Sequence, residues 1–474
     1  MQTSNSELDA RAESKKHLDS LIGMFGSGIE DLGIHEASKK LNGERSVHEL
    51  RKGPDRRDND EISVLTLKET DGVLRWEHGS GFEPPTLKGR RKRRGARLFQ
   101  GNIVQQFKFE NLVPNQVDDK LRSLDGTLNG HQGFWELSKD QASRQWRRAR
   151  QIDGAIATGK VLLIIHGTFS NTDNNLSAFN ETAFGTKFLD DAKKKYKQII
   201  AFSHPTVGVS PFTNAVVLAS FFRNSNVSVD VICHSRGGLI ARWWNEVIEA
   251  HSKRKIRVAF MGSTLGGTSL ASPHQLKSAL NLLTNISRGA TIGANVGSAI
   301  FPAASGLMAA ALGINRIFAN VVGAFQKTPI LDAGVALVPG LNGQSRQGGN
   351  SEILALRDNF VSMTKQRQSE LLRSYLFLAA DFEPTSNHAW WKFWKYFNKA
   401  KIADFAADRI FPNENDLVVD TASMNELCDP HLLTDAQLKL VGKQTHRFES
   451  NAGIHHLNYL SSPMTIKKFR KLFI

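Results

Sequence analysis

Residues 227–242 read VSVDVICHSRGGLIAR, and the pattern of this stretch is the strongest indication of the fold. Its first six residues form a short, mostly apolar run, which is typical of a strand buried on both faces of a sheet. After Gly237 and Gly238, apolar residues recur at helical spacing, at positions 239/240, 243/244 and 247/248. The sequence therefore predicts a buried strand, a tight turn and a helix packed closely against that strand.

Similar apolar runs occur on both sides of this stretch, separated by segments long enough for helices. They cover residues 161–165, 199–202, 258–261 and 375–380. Strands that alternate with helices form a doubly wound, mostly parallel α/β sheet. Because functional groups in such sheets lie beyond the carboxyl ends of the strands, the residues directly after each run are candidate site residues.

The composition is that of a globular protein without a disulfide framework. A chain of 474 residues with 40% apolar and 23% charged residues is long enough for one large globular domain plus an attachment. Two cysteines, Cys233 and Cys428, exclude a disulfide framework and a zinc module built on cysteines. The first twenty residues contain no apolar segment, so we expect no cleaved secretory signal and a cytoplasmic protein.

We expect three parts along the chain. Residues 1–60 are polar and weakly patterned, which predicts a mobile arm. Residues 61–150 predict a small β-rich N-terminal region, because apolar residues on both sides of Asp71-Gly72 indicate a hairpin and residues 103–109 indicate a third strand. Residues 151–474 hold the apolar runs and predict the α/β domain.

The net charge of +15 indicates an affinity for polyanions. Seven cationic residues crowd into one segment: Lys88, Arg90, Arg91, Lys92, Arg93, Arg94 and Arg97. Such a run can bind anionic lipid or nucleic acid, or it can be a solvated loop. Because no repeat or interleaved aromatic pattern surrounds it, we do not expect nucleic acid as the partner.

The turn at Ser235 has the pattern of a nucleophile elbow. A serine between a strand and a helix presents its hydroxyl to the helix N-terminus, where backbone amides such as that of Arg236 stabilise an oxyanion. Cys233 departs from the pattern, because G-x-S-x-G has its first glycine at that position. The motif is loose, so the flanking strand and helix carry the prediction.

A second amide for the oxyanion is expected in the loop after residues 161–165, which continues as His166-Gly167-Thr168-Phe169. We predict the Thr168 amide as the donor, with the Phe169 amide as the alternative. His166 can equally be a polar residue that merely ends the strand.

An acid and a histidine should follow the serine in chain order. Asp416 is the predicted acid; Asp408, Asp420 and Asp381 are alternatives nearby. His455 and His456 follow a predicted strand at residues 445–448, and one of them is expected to exchange a proton with Ser235. A paired histidine can also bind metal, but no metal-ligand spacing accompanies it.

Six segments carry a resemblance to a known family: LLIIHGTFSNT (162–172), FSHPTVGVSP (202–211), VICHSRGGLIAR (231–242), LGGTSLASP (265–273), ENDLVVDTASM (414–424) and IHHLNYL (454–460). Residues 160–474 resemble the lipase/serine-esterase branch of the α/β-hydrolase superfamily. Within it, they are similar to bacterial serine esterases that share features with PGAP1-like and DUF676-type lipases.

This resemblance implies hydrolysis of carboxylic esters through an acyl-enzyme, without a metal or an organic cofactor. It implies Ser235 as the nucleophile and Asp416 as the acid. It also favours His456 over His455, because His456 fits the family's His-x-Asn-Tyr ending. Residues 1–150 lie outside the resemblance.

The expected substrate is an acyl ester, and a lipid-like one is favoured. Residues 266–345 lie where this fold inserts a helical cap, and their small, apolar residues would line an acyl channel. No charge occurs between Arg288 and Arg316, a length that could span a bilayer, but the many small residues favour a helical insertion. The segment WWKFWKYF at 390–397 is typical of peripheral contact with an anionic membrane, or of core packing.

The predicted triad and the basic run are also compatible with functions other than ester hydrolysis. An acyltransferase or a thioesterase would have the same triad, and sequence does not separate them from an esterase. The rival class is a non-catalytic scaffold that binds polyanions through the basic run. Because the sequence supplies candidates for every triad position, an enzyme is the favoured interpretation.

Overall fold

The computed structural model describes residues 29–31, 62–70, 73–80, 102–110, 116–271, 338–346, 350–382 and 414–474. Several predicted features lie outside the described residues. They are the arm apart from residues 29–31, the basic run at 88–97, most of the cap at 266–345, the WWKFWKYF segment and Asp408.

The N-terminal strands form a four-stranded antiparallel sheet. Its strands are β1 (Ile29–Asp31), β2 (Ile62–Thr70), β3 (Val73–Ser80) and β4 (Asn102–Glu110), in the order β1-β4-β2-β3. Thr70 pairs with Val73, so two residues connect β2 and β3 as expected for an Asp-Gly hairpin. The strand predicted at 103–109 is β4, which pairs with β2.

Eight strands form the main sheet, in the order β12-β11-β10-β9-β7-β8-β5-β6. They are β5 (Gly133–Lys139), β6 (Trp146–Ile152), β7 (Thr158–Ile165), β8 (Gln198–Ser203), β9 (Asn226–His234), β10 (Ile256–Met261), β11 (Tyr375–Ala380) and β12 (Thr445–Phe448). Strands β7 to β12 are mutually parallel, whereas β5 pairs antiparallel with both β8 and β6. The mostly parallel sheet confirms the predicted α/β class, and each predicted apolar run is one of its strands.

Helices cover both faces of this sheet. They are α1 (Gln116–Leu128), α2 (Thr172–Asn180), α3 (Ala183–Lys195), α4 (Pro211–Phe222), α5 (Gly237–Arg242), α6 (Pro339–Asn342), α7 (Ser351–Ser362), α8 (Lys365–Ser374), α9 (Asp435–Gln444) and α10 (Pro463–Phe473). Alternate residues of β7 enter opposite cores: Val161 and Leu163 pack in the core with α4, α5 and α7, while Leu162 and Ile164 pack in the core with α2, α3 and α10. Burial on both faces explains why these strands read as continuous apolar runs.

The main sheet begins earlier than the boundary that the sequence predicted at residue 151. Strands β5 and β6 belong to it, because β5 is hydrogen-bonded to β8. Both strands carry many polar residues that face solvent, so neither has the apolar run of a central strand. The predicted N-terminal region, 61–150, thus includes β5 and most of β6, and the division into domains stays a prediction.

An ion pair in the core fixes the helix that follows Ser235. Helix α5 continues into a π-helical turn, Trp243–Ile248. The fully buried Arg242, at the end of α5, forms an ion pair with Glu246 of this turn, with an N···O distance of 2.9 Å. The Tyr375 hydroxyl at the start of β11 donates to Glu246 at 3.0 Å. These bonds satisfy charges that would otherwise be costly to bury, and they hold the helix against the sheet.

Among the helices of the described residues, none combines the length and the apolar character that crossing a bilayer requires.

Candidate active site

Ser235 lies on a strained turn between β9 and α5. Strand β9 ends at His234 and helix α5 begins at Gly237. Ser235 has φ of 54°, a left-handed conformation that a residue with a side chain adopts only at a cost of about 1–3 kcal/mol. Its backbone N–H donates to the carbonyl of Met261, the last residue of β10, at 2.9 Å. The strand, turn and helix predicted around Ser235 are therefore present.

Two glycines let the neighbouring loops approach this turn. A Cβ atom at Gly237 would lie 2.8 Å from the His166 carbonyl oxygen, and one at Gly167 would lie 2.7 Å from the Ser235 Cβ. Neither distance is tolerable for a real Cβ atom. The absence of side chains at these positions brings the loop after β7 against the serine.

Asp416 is fully buried, and hydrogen bonds surround its carboxylate. The backbone amides of Val418 and Val419 donate to Oδ1 at 3.1 and 2.9 Å. His456 Nδ1 donates to Oδ2 at 2.9 Å, and the Tyr459 hydroxyl donates to the same oxygen at 3.0 Å. Four donors make this position suitable for a buried negative charge.

The contacts of His456 assign its tautomer. Since the Asp416 carboxylate accepts from Nδ1, the proton of a neutral ring lies on Nδ1 and leaves Nε2 with a free lone pair. The His456 backbone N–H also donates to the Asp416 carbonyl at 2.9 Å. The ring is therefore oriented at two points, and its Nε2 can act as a base.

The alternative residues have other partners. The His455 backbone N–H donates to Asn458 Oδ1 at 2.8 Å, and its ring packs edge-on against Phe382. Asp420 accepts from the amide and hydroxyl of Ser269, and Asp381 lies 3.9 Å from Arg447. The candidate acid that hydrogen-bonds to the ring of His456 is therefore Asp416.

His234 joins the serine turn to the histidine loop. Its Nε2–H donates to the His456 carbonyl at 2.7 Å, and the two ring centroids lie 4.6 Å apart. Within the described residues, no hydrogen bond links the Ser235 hydroxyl to His456. Such bonds are often long in the absence of substrate and tighten when it binds.

Two backbone amides near Ser235 in the chain or across the Gly167 contact have no acceptor among the described residues: those of Thr168 and Arg236. The Phe169 amide donates to Thr206 Oγ1 at 3.3 Å, so that alternative donor is already engaged. Thr168 is further held by its side chain, which hydrogen-bonds to Gln344 at 3.0 and 3.1 Å.

Two stacked histidines and an arginine form a buried cluster next to the Ser235 turn. The His166 and His204 rings are 4.0 Å apart, and His166 Nε2 accepts from the His204 backbone N–H at 3.0 Å. The buried Arg236 guanidinium donates to His204 Nδ1 at 3.1 Å and to the Val209 carbonyl. Burial lowers the pKa of His166 to about 4 and holds that of His204 well below its ordinary value, so both rings stay neutral beside the cation.

Sequence reasoning did not identify the roles of Tyr459, His234 and the Arg236 side chain. Tyr459 lies in the quoted segment IHHLNYL, and His234 lies in CHSRGG, but no spacing rule indicates where a loop side chain points. His234 is buried against His456, and burial lowers its pKa to about 3. These residues hold the site together, and their contacts could be read only from the fold.

No cluster of three or more histidine, cysteine, aspartate or glutamate side chains suited to a metal ion occurs within the described ranges. Cys233 is buried in the core, where burial raises the pKa of its thiol well above the ordinary value. It therefore acts as a small apolar residue at the position where the motif has glycine.

A family model described as Domain of unknown function (DUF7379) matches residues 132–474. The chain belongs to this family. The DUF7379 match begins next to β5 and so contains the whole main sheet. A comparison with curated proteins gives no match.

Two solved structures are similar to the chain at low levels. Lipase 1 from Pelosinus fermentans is 12% identical, with 66% of this chain and 99% of that chain covered and a TM-score of 0.36. Esterase B from Lactobacillus rhamnosis, in a tributyrin phosphonate structure, is 10% identical, with 76% and 94% covered and a TM-score of 0.27. TM-scores this low do not establish a shared fold.

Acid should destabilise the fold through its buried histidines. An unfolded chain takes up protons at an ordinary pKa of about 6.5, whereas His166 and His234 resist protonation until about 4 and 3. The unfolded state thus binds more protons as the pH falls below 6.5, so each histidine should remove about 2 kcal/mol of stability between pH 7 and pH 5. Urea denaturation at both pH values measures this loss.

The variant His234→Gln supplies the control, since it retains an amide donor and removes one titrating ring. Its stability should fall by about 2 kcal/mol less than that of the wild type between pH 7 and pH 5. His251→Gln makes the same substitution at an exposed position. Equal losses in all three proteins would contradict the role assigned to buried histidine.

Proposed function

We propose that the chain is a serine hydrolase that cleaves carboxylic esters, with lipid-like esters as its substrate class. The observation that carries the proposal is the hydrogen-bonded Asp416–His456 pair beside the strained Ser235 turn. The three residues follow one another as Ser, Asp, His, which is the chain order of α/β-hydrolase triads.

The architecture supports an α/β-hydrolase. The nucleophile follows a central parallel strand, β9, and precedes helix α5, and a candidate oxyanion amide comes from the loop after the neighbouring strand β7. These are the places that this fold uses for both functions. The finer assignment, to serine esterases with features of PGAP1-like and DUF676-type lipases, remains a proposal from the sequence resemblance.

The proposed reaction begins with attack of Ser235 Oγ on the ester carbonyl carbon. His456 Nε2 takes the hydroxyl proton, and Asp416 stabilises the imidazolium that forms. The carbonyl oxygen becomes an oxyanion, toward which the Thr168 and Arg236 amides would donate. When the C–O bond to the alcohol breaks, His456 protonates the leaving oxygen and an acyl-Ser235 ester remains.

Water completes the cycle by the reverse proton transfers. His456 removes a proton from the water as it attacks the acyl carbon, and then returns that proton to Ser235 Oγ as the carboxylic acid leaves. Every proton and electron pair in these steps is accounted for by substrate, water and the three side chains. The proposed mechanism therefore uses neither a metal nor an organic cofactor.

The surroundings of Ser235 favour an apolar acyl group. Ser235 is buried, and the Thr168–Gln344 hydrogen bonds tie the oxyanion loop to residues 338–346, the end of the predicted cap. A serine shielded from water suits an acyl chain that also avoids water. The cytoplasmic location and the peripheral contact with anionic membranes stay predictions from the sequence.

Ser235→Ala should abolish ester turnover, and Asp416→Asn should reduce kcat by about 10⁴-fold, because an amide would favour the wrong tautomer of His456. Hydrolysis of p-nitrophenyl esters of increasing chain length measures both effects, with circular dichroism to confirm folding. Ser362→Ala, at an exposed helix end, is the matched serine control.

Near wild-type turnover by Ser235→Ala would refute the proposed nucleophile. The same assay with an added alcohol distinguishes the alternative chemistry, since an acyltransferase would acylate the alcohol faster than water. Thioester substrates identify a thioesterase in the same way.

Tyr459→Phe should lower kcat by about tenfold with little change in KM. A hydrogen bond to a charged group contributes about 1.5 kcal/mol, and the lost bond orients Asp416 rather than the substrate. Tyr196→Phe is a matched control, because Tyr196 also donates to a buried carboxylate, Asp230, at the opposite edge of the sheet. Equal effects of the two substitutions would show that Tyr459 acts only on stability.

A further inference from the structure

A cavity of about 660 Å³ lies at the amino ends of the parallel strands. Its lining includes Lys160 near the start of β7, Ser228 and Asp230 in the first half of β9, and Arg257 in β10. Ser235 follows the carboxyl end of β9, at the opposite edge of the sheet. The cavity is therefore separate from the candidate active site.

The cavity is strongly cationic. Seven of its lining residues are lysine or arginine, and two are acidic, Asp230 and Glu370. Glu370 lies on the exposed surface of α8, where it is 3.7 Å from Arg367. The excess of positive charge in a concave surface focuses the field and attracts anions.

Asp230 does not neutralise the excess positive charge, because both of its carboxylate oxygens already have cationic partners. Lys160 lies 2.8 Å from its Oδ2, and Arg257 forms a bidentate pair at 2.7 and 2.6 Å. The Tyr196 hydroxyl also donates to it. Asp230 therefore does not neutralise the other lysines and arginines that line the cavity.

Two lysine side chains of the cavity are available to bind an anion. Within the described residues, the side-chain ammonium groups of Lys253 and Lys255 form no hydrogen bond or ion pair, although the two residues flank Arg254. Arg254 is held rigidly, because its guanidinium donates to Glu249 and to the carbonyls of Phe222 and other residues. Two free ammonium groups thus project from a fixed segment at the rim of the cavity.

A further lysine shows that positive charge is crowded here. Lys195 lines the cavity, and its pKa is lowered from the ordinary value, first by partial burial and then by repulsion from Lys160 and Arg257. Repulsion among cations is relieved when an anion binds between them.

We propose that this cavity binds a phosphate group carried by a small molecule or a lipid headgroup. Ser228 and Ser252 add uncharged hydroxyl groups to the lysines and arginines, which suits the several oxygens of a phosphate. The residues that line the cavity are all described and include no aromatic ring, so nothing there would stack on a nucleic acid base.

The test compares three full-length proteins: the wild type, the double variant Lys253→Gln/Lys255→Gln and the double variant Lys439→Gln/Lys443→Gln. The last pair lies on the exposed surface of α9 and produces the same change in net charge outside the cavity. Calorimetric titration with inorganic pyrophosphate, and sedimentation with phosphatidylcholine vesicles with or without phosphatidic acid, measure binding. The cavity variant should bind about tenfold more weakly, because two charge contacts are lost.

Acetylation footprinting locates the bound phosphate. Pyrophosphate or phosphatidic acid should protect Lys253 and Lys255 and leave Lys439 and Lys443 reactive. Binding of pyrophosphate would identify a soluble phosphorylated ligand, and binding of vesicles alone would identify a headgroup. Equal affinities in the three proteins, or no protection at the cavity by either probe, would overturn the proposal, and a Ser235→Ala background separates this result from ester hydrolysis.

Discussion

The left-handed turn at Ser235 is the constraint on which the site depends. A backbone in this conformation persists only when its surroundings hold it, and three neighbours do so here: the end of β10, the loop after β7 and the buried helix α5. Two of these neighbours also supply proposed oxyanion donors: the loop after β7 contains Thr168, and Arg236 directly precedes α5. The contacts that hold Ser235 in its strained conformation are thus contacts with the segments of the proposed site.

The parallel sheet explains why distant segments meet. All strands from β7 to β12 end at one edge, so the loops that follow β7, β9 and β12 converge with the loop of Asp416. His456 and Asp416 are joined by side chain and backbone, and His234 joins that pair to the strand of the nucleophile. The opposite edge of the sheet is cationic, because seven lysines and arginines line the cavity there and only Asp230 and Glu370 are acidic.

Sequence reasoning predicted the central strands and the turn at Ser235 because burial on both faces leaves a short, mostly apolar run for each strand. It did not predict β5 and β6 as strands of this sheet, since antiparallel strands near a sheet edge expose polar residues. The choice between His455 and His456 required a family resemblance, because loops have no periodicity. Tyr459 and His234 were not assigned roles, since only the fold shows which atoms their side chains reach.

The central claim is that the site activates Ser235 as a nucleophile. Labelling with a fluorophosphonate, followed by intact mass and peptide mapping, tests this claim without knowledge of the substrate. We expect one adduct on Ser235, formed by the wild type and absent from Ser235→Ala. A folded wild-type protein that acquires no adduct, or acquires it at another residue, would show that Ser235 is not the activated nucleophile.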